Sequence, residues 1–247
     1  MYKIPLKTVI TLLLITFSSY AASTTAKAAI DKASAAGQFL CLIFYEAQDS
    51  SFNNISTSIT TFSKSSTKKL SVFKAELSDP SNKEIVDKYG IPSDQLPMLL
   101  VIAPNGAVTG GFPKSITADQ LKQSVSVSEL MLKTIKPLQE QKVALVALQN
   151  ASTKFNAESW AGVNDFANDA NYKQLVTAIK ADPSAAGSQE FMKQCQLVSS
   201  LTEATIVVLM PPGKIAKIMT GKVTKEDILK SLQSCKSGSG CCSGGSR

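Results

Sequence analysis

An internal duplication constrains this chain more than any other feature. Phe52-Asn53-Asn54 recurs as Phe155-Asn156-Ala157, and at the same spacing Asp79-Pro80 recurs as Asp182-Pro183. Further on, Pro104-Asn105-Gly106 corresponds to Pro211-Pro212-Gly213, and Ile116-Thr117-Ala118-Asp119 to Val223-Thr224-Lys225-Glu226, both at a slightly longer spacing. Four correspondences in order, reconciled by one short insertion, describe one unit present twice. Each unit must close its own core within about 100 residues, which is enough for an independent domain.

Both copies alternate strands and helices. The first predicts a helix over 25–35, a strand over 39–45, a helix over 52–64, a strand over 70–76 and a helix over 82–89. Strands over 98–103 and 107–110 follow, then one helix that Thr117 caps and that stops near Pro137. The second copy predicts a strand over 143–148, a helix over 158–168, a strand over 174–179 and a helix over 188–197. It ends with strands over 205–210 and 214–219 and a helix from Thr224 to 233. The runs FLCLIFY, MLLVIA, VALVAL and TIVVLM are wholly apolar, as expected of strands covered on both faces. The expected class is therefore α/β, a central mixed sheet flanked by helices in each copy. The expected boundaries are a leader at 1–21, a first domain at 22–137, a second at 138–233 and a tail at 234–247.

The leader carries Lys3 and Lys7, an apolar stretch over 8–17, and small residues at Ser19 and Ala21. This is the pattern of a secretory signal peptide. The stretch is too short to span a bilayer, which takes about 20 apolar residues. The expectation is an exported protein, periplasmic or extracellular, with no membrane insertion after cleavage. Losing the leader lowers the formal charge from +7 to +5. What remains is almost all lysine, and the single arginine is Arg247. Bidentate arginine is the usual reader of phosphate and bases, so nucleic acid is not an expected partner.

The chain has no histidine. That excludes Ser-His-Asp and Cys-His nucleophiles and zinc sites built on imidazole. Reactivity is left to carboxylates, lysines, hydroxyls and five cysteines.

The segment Lys88–Val108, KYGIPSDQLPMLLVIAPNGAV, resembles the signature of the thioredoxin fold: Tyr-Gly-Ile, a proline, an apolar strand and an Asn-Gly turn. The resemblance implies two tandem thioredoxin-like domains, with Pro97 in cis after Leu96. In the second copy Ala204 stands at the place of Pro97. The resemblance also implies a Cys-x-x-Cys motif at the start of the helix after the first central strand, where two thiols one turn apart close a disulfide. Aligned on Phe44-Tyr45, those positions hold Asp49 and Phe52; in the second copy they fall on Ser152 and Phe155. No thiol stands at any of the four. Asp49 has two readings, a helix cap or an acidic group facing a cleft beside Pro97, and Ser152 is an expected cap in the second copy. The cleft that such folds offer to an extended peptide would be lined by Asp49, Ser50, Phe52, Leu96 and Pro97, with the groove between the domains as a second candidate.

Cys41, inside an apolar strand, and Cys195, on a helix, are expected to be buried. Cys235, Cys241 and Cys242 lie in SCKSGSGCCSGGSR, a Ser/Gly-rich segment that cannot form a core. Three readings of these thiols stand side by side: a disulfide within the tail, a soft metal ion such as copper(I) held by thiolates, or thiol exchange with a partner. No other cofactor is expected. The expected function is a non-catalytic binding or scaffolding module for proteins or peptides of the cell envelope. The alternative is a thiol-disulfide oxidoreductase or soft-metal protein acting through the tail.

Overall fold

The computed structural model describes residues 25–198 and 200–236. The expected leader, with Cys241 and Cys242, lies outside the described residues. In chain order the first unit contains α1 (Ala26–Ala35), β1 (Phe39–Tyr45), α2 (Ser50–Ser65), β2 (Leu70–Glu76), α3 (Lys83–Tyr89), β3 (Met98–Ile102), β4 (Val108–Pro113) and α4 (Ala118–Val125). The second repeats this order as α5 (Glu129–Gln139), β5 (Val143–Leu148), α6 (Asn156–Ala167), β6 (Val176–Ala181), α7 (Gln189–Gln194), β7 (Thr205–Met210), β8 (Lys214–Thr220) and α8 (Lys225–Lys236).

Each unit forms one four-stranded sheet, ordered β2-β1-β3-β4 and β6-β5-β7-β8. The first pair of each sheet is parallel and the other two pairs are antiparallel. This strand order, with helices on both faces, makes the chain two tandem thioredoxin-like folds. Alternation along β1 explains the apolar run. Cys41 and Ile43 face Phe52, Ile55 and Ile59 of α2 and Leu121 of α4. Leu40, Leu42 and Phe44 face Ala26, Ala29 and Ala33 of α1 and Ile85 of α3. A strand buried on both sides has no polar face, so period-two alternation disappears from its sequence. The second sheet is built alike, with Val163 and Phe166 of α6 and Ile228 of α8 on one side and α5 and α7 on the other.

The repeat is kept in local chemistry as well. Asp79 accepts from Ser81 N at 2.9 Å and Asp182 from Ser184 N at 2.8 Å, so both Asp-Pro steps turn the chain in the same way. Thr117 caps α4 in a reciprocal box with Gln120. Thr224 does the same for α8 with Asp227, whose carboxylate accepts from Thr224 N at 3.0 Å.

The single helix expected from Thr117 to Pro137 is two helices. α4 ends at Val125, Ser126 leaves helical geometry, and Ser128 caps α5 by accepting from Met131 N. The two helices serve different cores. Leu130, Thr134 and Leu138, four residues apart, form one stripe of α5 that is buried toward the second domain, where Leu130 and Leu138 join Ala144, Val146 and Val207. Leu132 and Ile135, on another side, pack against the first core. The break between the cores therefore falls at 126–128, not at the expected 137/138, because α5 stands to β5 as α1 stands to β1. Polar contacts fasten the same helix to the first sheet. The Gln139 amide donates to Val108 O at 2.7 Å and accepts from Val108 N at 2.9 Å, satisfying the outer edge of β4 there. Asn105 Nδ2 donates to Leu132 O at 2.8 Å. α8 also runs past the expected end at 233, to Lys236, so Cys235 lies in its last turn; the side chain of Cys235 is outside the description.

Candidate functional site

In the first domain, β1 delivers the chain through residues 46–49 to the start of α2. Asp49 is the N-cap: its Oδ1 accepts from Phe52 N at 2.8 Å, satisfying one of the orphan donors of the first turn. Of its two readings, the cap is the one the geometry realises. Ser50, the first helical residue, is exposed like Asp49. Phe52 does not line a cleft. It is 1% exposed, part of the core beneath the sheet, with its ring centroid 4.7 Å from that of Tyr45. A large apolar side chain on the inner face of an amphipathic helix is drawn into the core whatever the fold's relatives place there. Lys74 of β2 lays its Nζ 4.9 Å from the Phe52 ring centroid.

The second half of the expected site is the segment before β3. Ser93–Gln95 form one 3₁₀ turn, and the Leu96–Pro97 bond is cis, as the resemblance implies. Leu96 is half-buried against the core on the α1 side, and Pro97 is buried, its carbonyl accepting from Lys114 N at 2.7 Å. Of the five expected cleft residues, Asp49 and Ser50 are open to solvent, Leu96 is partly so, and Phe52 and Pro97 are not.

The second domain departs from the expected alignment. Pairing with the antiparallel neighbour puts Leu148 in the place of Phe44 and Thr205 in the place of Met98. The connection from β5 to α6 then runs over 149–155 and is longer than its counterpart. Phe155, not Ser152, precedes the helix, in a left-handed conformation (φ 61°) with no side-chain cap. Ser152 therefore does not cap α6; its own N–H donates to Asn150 Oδ1 at 2.9 Å inside the loop. Ser152 and Phe155 are not one helical turn apart on α6, and the matching of Phe52 with Phe155 in sequence does not survive in space.

A polar network holds this loop. Asn150 Nδ2 donates to Asp182 Oδ1 at 2.8 Å, and the Thr153 hydroxyl donates to Asn156 Oδ1 at 2.6 Å. Asn156 Nδ2 donates to Asn150 O at 2.6 Å. With its amide oriented so that both ends find partners, Gln149 donates to Asn156 O at 3.0 Å and accepts from Lys180 Nζ at 3.2 Å. The Asp182 carboxyl is held below its ordinary range by the Ser184 hydroxyl, then by Asn150. Lys180 sits 4.4 Å from the Trp160 ring centroid. It pairs with Ala147 as Lys74 pairs with Ile43, so both domains place a lysine over an aromatic ring of the helix that precedes its strand. Sequence reading missed this matched pair; laying SVFKA over TAIKA aligns the two lysines.

The described thiols are buried. Cys41 is fully buried and burial pushes its thiol up to about 12; Cys195, which caps the end of α7 from the backbone, is pushed up to about 11 for the same reason. Both are free cysteines. Among the described residues no cluster of three carboxylates or thiols could hold a metal ion, and no helix is long and apolar enough to cross a membrane. The second domain contains a cavity of about 630 Å³ between β8 and α8, edged by Lys217, Lys222 and Lys230, and one of about 230 Å³ between α5, α7 and the β7–β8 turn.

The sequence matches no protein-family model and no curated protein. Solved structures that resemble the chain include the zinc-bound form of human ERp44, at 14% identity and a TM-score of 0.35, over 84% of this chain and 57% of that one. The first two thioredoxin domains of Saccharomyces cerevisiae Eps1p are similar over 84% of this chain and 96% of theirs, at 7% identity and a TM-score of 0.31. StoA from Bacillus subtilis is similar over 36% of this chain and 84% of its own, at 16% identity and a TM-score of 0.29. The assignment to the thioredoxin-like class rests on strand order and layering, which are independent of these scores.

Proposed function

We propose that this protein is an exported, non-catalytic module that binds extended polypeptide segments through its first domain. One observation carries the reading: at the site where the fold's dithiol would stand, Asp49 is committed to capping α2 and Phe52 to the core, while Cys41 and Cys195 are buried with raised thiol pKa values. Asp49 and Ser50 at the start of α2 and the turn Ser93–Gln95 before Pro97 are exposed, and Leu96 partly so, which leaves these side chains free for contact with a partner. The leader over 1–21 supports export to the periplasm or outside the cell. Insulin reduction under dithiothreitol tests the catalytic half of the reading: turnover no faster than dithiothreitol alone is expected. Amino-terminal sequencing of the protein from the envelope or medium is expected to begin near Ala22.

The vicinal pair Cys241-Cys242, close in sequence to Cys235, favours a second reading in which the tail exchanges disulfides or holds a soft metal. Insulin reduction that disappears in Cys241→Ser/Cys242→Ser would put exchange first. Copper(I) stoichiometry that drops on truncation after Gln233 would put metal binding first.

A further inference from the structure

The duplication lets positions of one core be compared with their equivalents in the other. Ile91 N donates to Val86 O at 3.2 Å after α3, and Leu197 N to Met192 O at 2.9 Å after α7. Tyr89 and Cys195 are therefore equivalents. Gln38 N donates to Ala33 O at 2.9 Å after α1, and Lys142 N to Pro137 O at 2.9 Å after α5, which makes Ile30 the equivalent of Thr134. The same shift of strand register pairs Ile102 with Val108 and Leu209 with Ile215. In the first domain this place is filled by a ring: Tyr89, half-buried, belongs to one cluster with Ile30, Ile102 and Val108. In the second domain Cys195 stands for Tyr89 and Thr134 for Ile30. Leu209 for Ile102 and Ile215 for Val108 restore little of the lost volume. The cavity of about 230 Å³ lies there, lined by Thr134, Cys195, Leu209 and Ile215.

We infer that this cavity is a binding site for a small neutral aromatic molecule of phenol size, which takes the place that the Tyr89 ring holds in the first domain. The size fits, since an apolar cavity of about 150 Å³ already holds benzene. The walls fit as well. Leu138, Phe191 and Leu209 are buried apolar side chains of the lining, while Gln194, Pro212 and Gly213 are exposed at its margin. The Thr134 hydroxyl already donates to Leu130 O at 2.8 Å, so the interior asks for an apolar body. A phenol hydroxyl would stay at the margin, where the Gln194 carbonyl can accept from it. The Phe191 ring and the sulfurs of Cys195 and Met131 favour an aromatic body over an aliphatic one of equal size.

The test titrates the full chain, labelled at its methionine methyl groups, with p-cresol, which is the tyrosine side chain as a free molecule. The NMR signal of Met131, in the cavity lining, is expected to shift saturably, while that of Met98 in the first domain stays in place. Cys195→Tyr supplies the ring covalently, and affinity at Met131 is then expected to fall at least about tenfold. If that variant does not fold, Cys195→Leu fills part of the same space and is expected to weaken binding several-fold. Cyclohexanol, of similar size without an aromatic face, is expected to bind several-fold more weakly than p-cresol. No saturable shift at Met131, or an unchanged affinity in a folded variant with the cavity filled, overturns the site. Equal binding of cyclohexanol overturns its aromatic character. Each of these results leaves the polypeptide reading standing, because the cavity lies in the other domain.

Discussion

Phe52 and Asp49 show how two residues of one helical turn take different duties. The cap bond from Phe52 N to Asp49 Oδ1 keeps α2 starting at Ser50, and the Phe52 ring fills the volume behind it. Asp49→Ala should therefore cost about 1 kcal/mol in urea unfolding, the usual worth of an N-cap side chain. Gly162 is a stricter position. A Cβ there would overlap the Val223 carbonyl, because α6 uses Gly162 and Ser159 to let the chain at 221–223 come close, with Ser159 Oγ donating to Gly221 O. Gly162→Ala should lose about 3 kcal/mol or more, since the clash is with backbone that cannot rotate away. Cys41 and Cys195 should both resist alkylation by iodoacetamide at neutral pH in the folded protein and react at once in denaturant. Because unfolded thiols ionise near 9 while these hold their protons to about 12 and about 11, the fold should also lose stability as pH rises above 9. Burial of these two thiols was legible from their apolar sequence neighbours. Burial of Phe52 was not, because alignment to a motif gave it a place by role, while its helix face gave it a place by hydrophobicity.

At the scale of elements, β1, β2, β5 and β7 lie where their sequences place them. Runs of β-branched and apolar residues ended by polar or turn residues leave little choice of boundary. The break at Ser126-Val127-Ser128 was missed because it contains neither Gly nor Pro and helical periodicity continues across it. Its signal was present in Ser128 followed by Glu129, a cap and an acidic first turn. Pro137 misled for the opposite reason, since near the end of a helix its missing N–H costs little and α5 continues to Gln139. Another join between elements should respond to pH. Lys225 Nζ lies 2.5 Å from Asp169 Oδ2, tying the start of α8 to the end of α6, and the Asp169 side chain is only 17% exposed. The Lys225 contact holds the Asp169 carboxyl below its ordinary 3.8 and Asp169 raises the Lys225 ammonium above 10.5. The carboxylate contribution is present above 3.8 and fades as pH falls through the lowered value; the ammonium contribution is present below 10.5 and fades as pH rises through the raised one. Melting temperatures of the parent and Asp169→Asn should differ by a constant amount between pH 5 and 9 and converge at either extreme.

For the whole molecule, α5 decides whether two domains behave as two. Leu138 is 6% exposed in the second core, so Leu138→Ala should cost about 2–5 kcal/mol there. Leu132, Ile135, Asn105 and Gln139 pass that loss to the first domain. Calorimetry of the parent should show one transition, and polar substitution of both Leu132 and Ile135 should split it in two. The tandem organisation was visible in the repeat, but the ownership of α5 was not, because a helix between two cores carries apolar residues on two sides and declares neither.

The junction also sets how the chain can be divided. A cut after Pro137 would take a layer from the second core and leave the first half with a helix whose Leu130 side has nothing to cover. A cut at Val127 severs only the turn between α4 and α5. Two fragments made there, each carrying every helix its own sheet requires, should fold separately. They should then find one another through Leu132, Ile135 and Gln139, reconstituting a nicked protein from its halves.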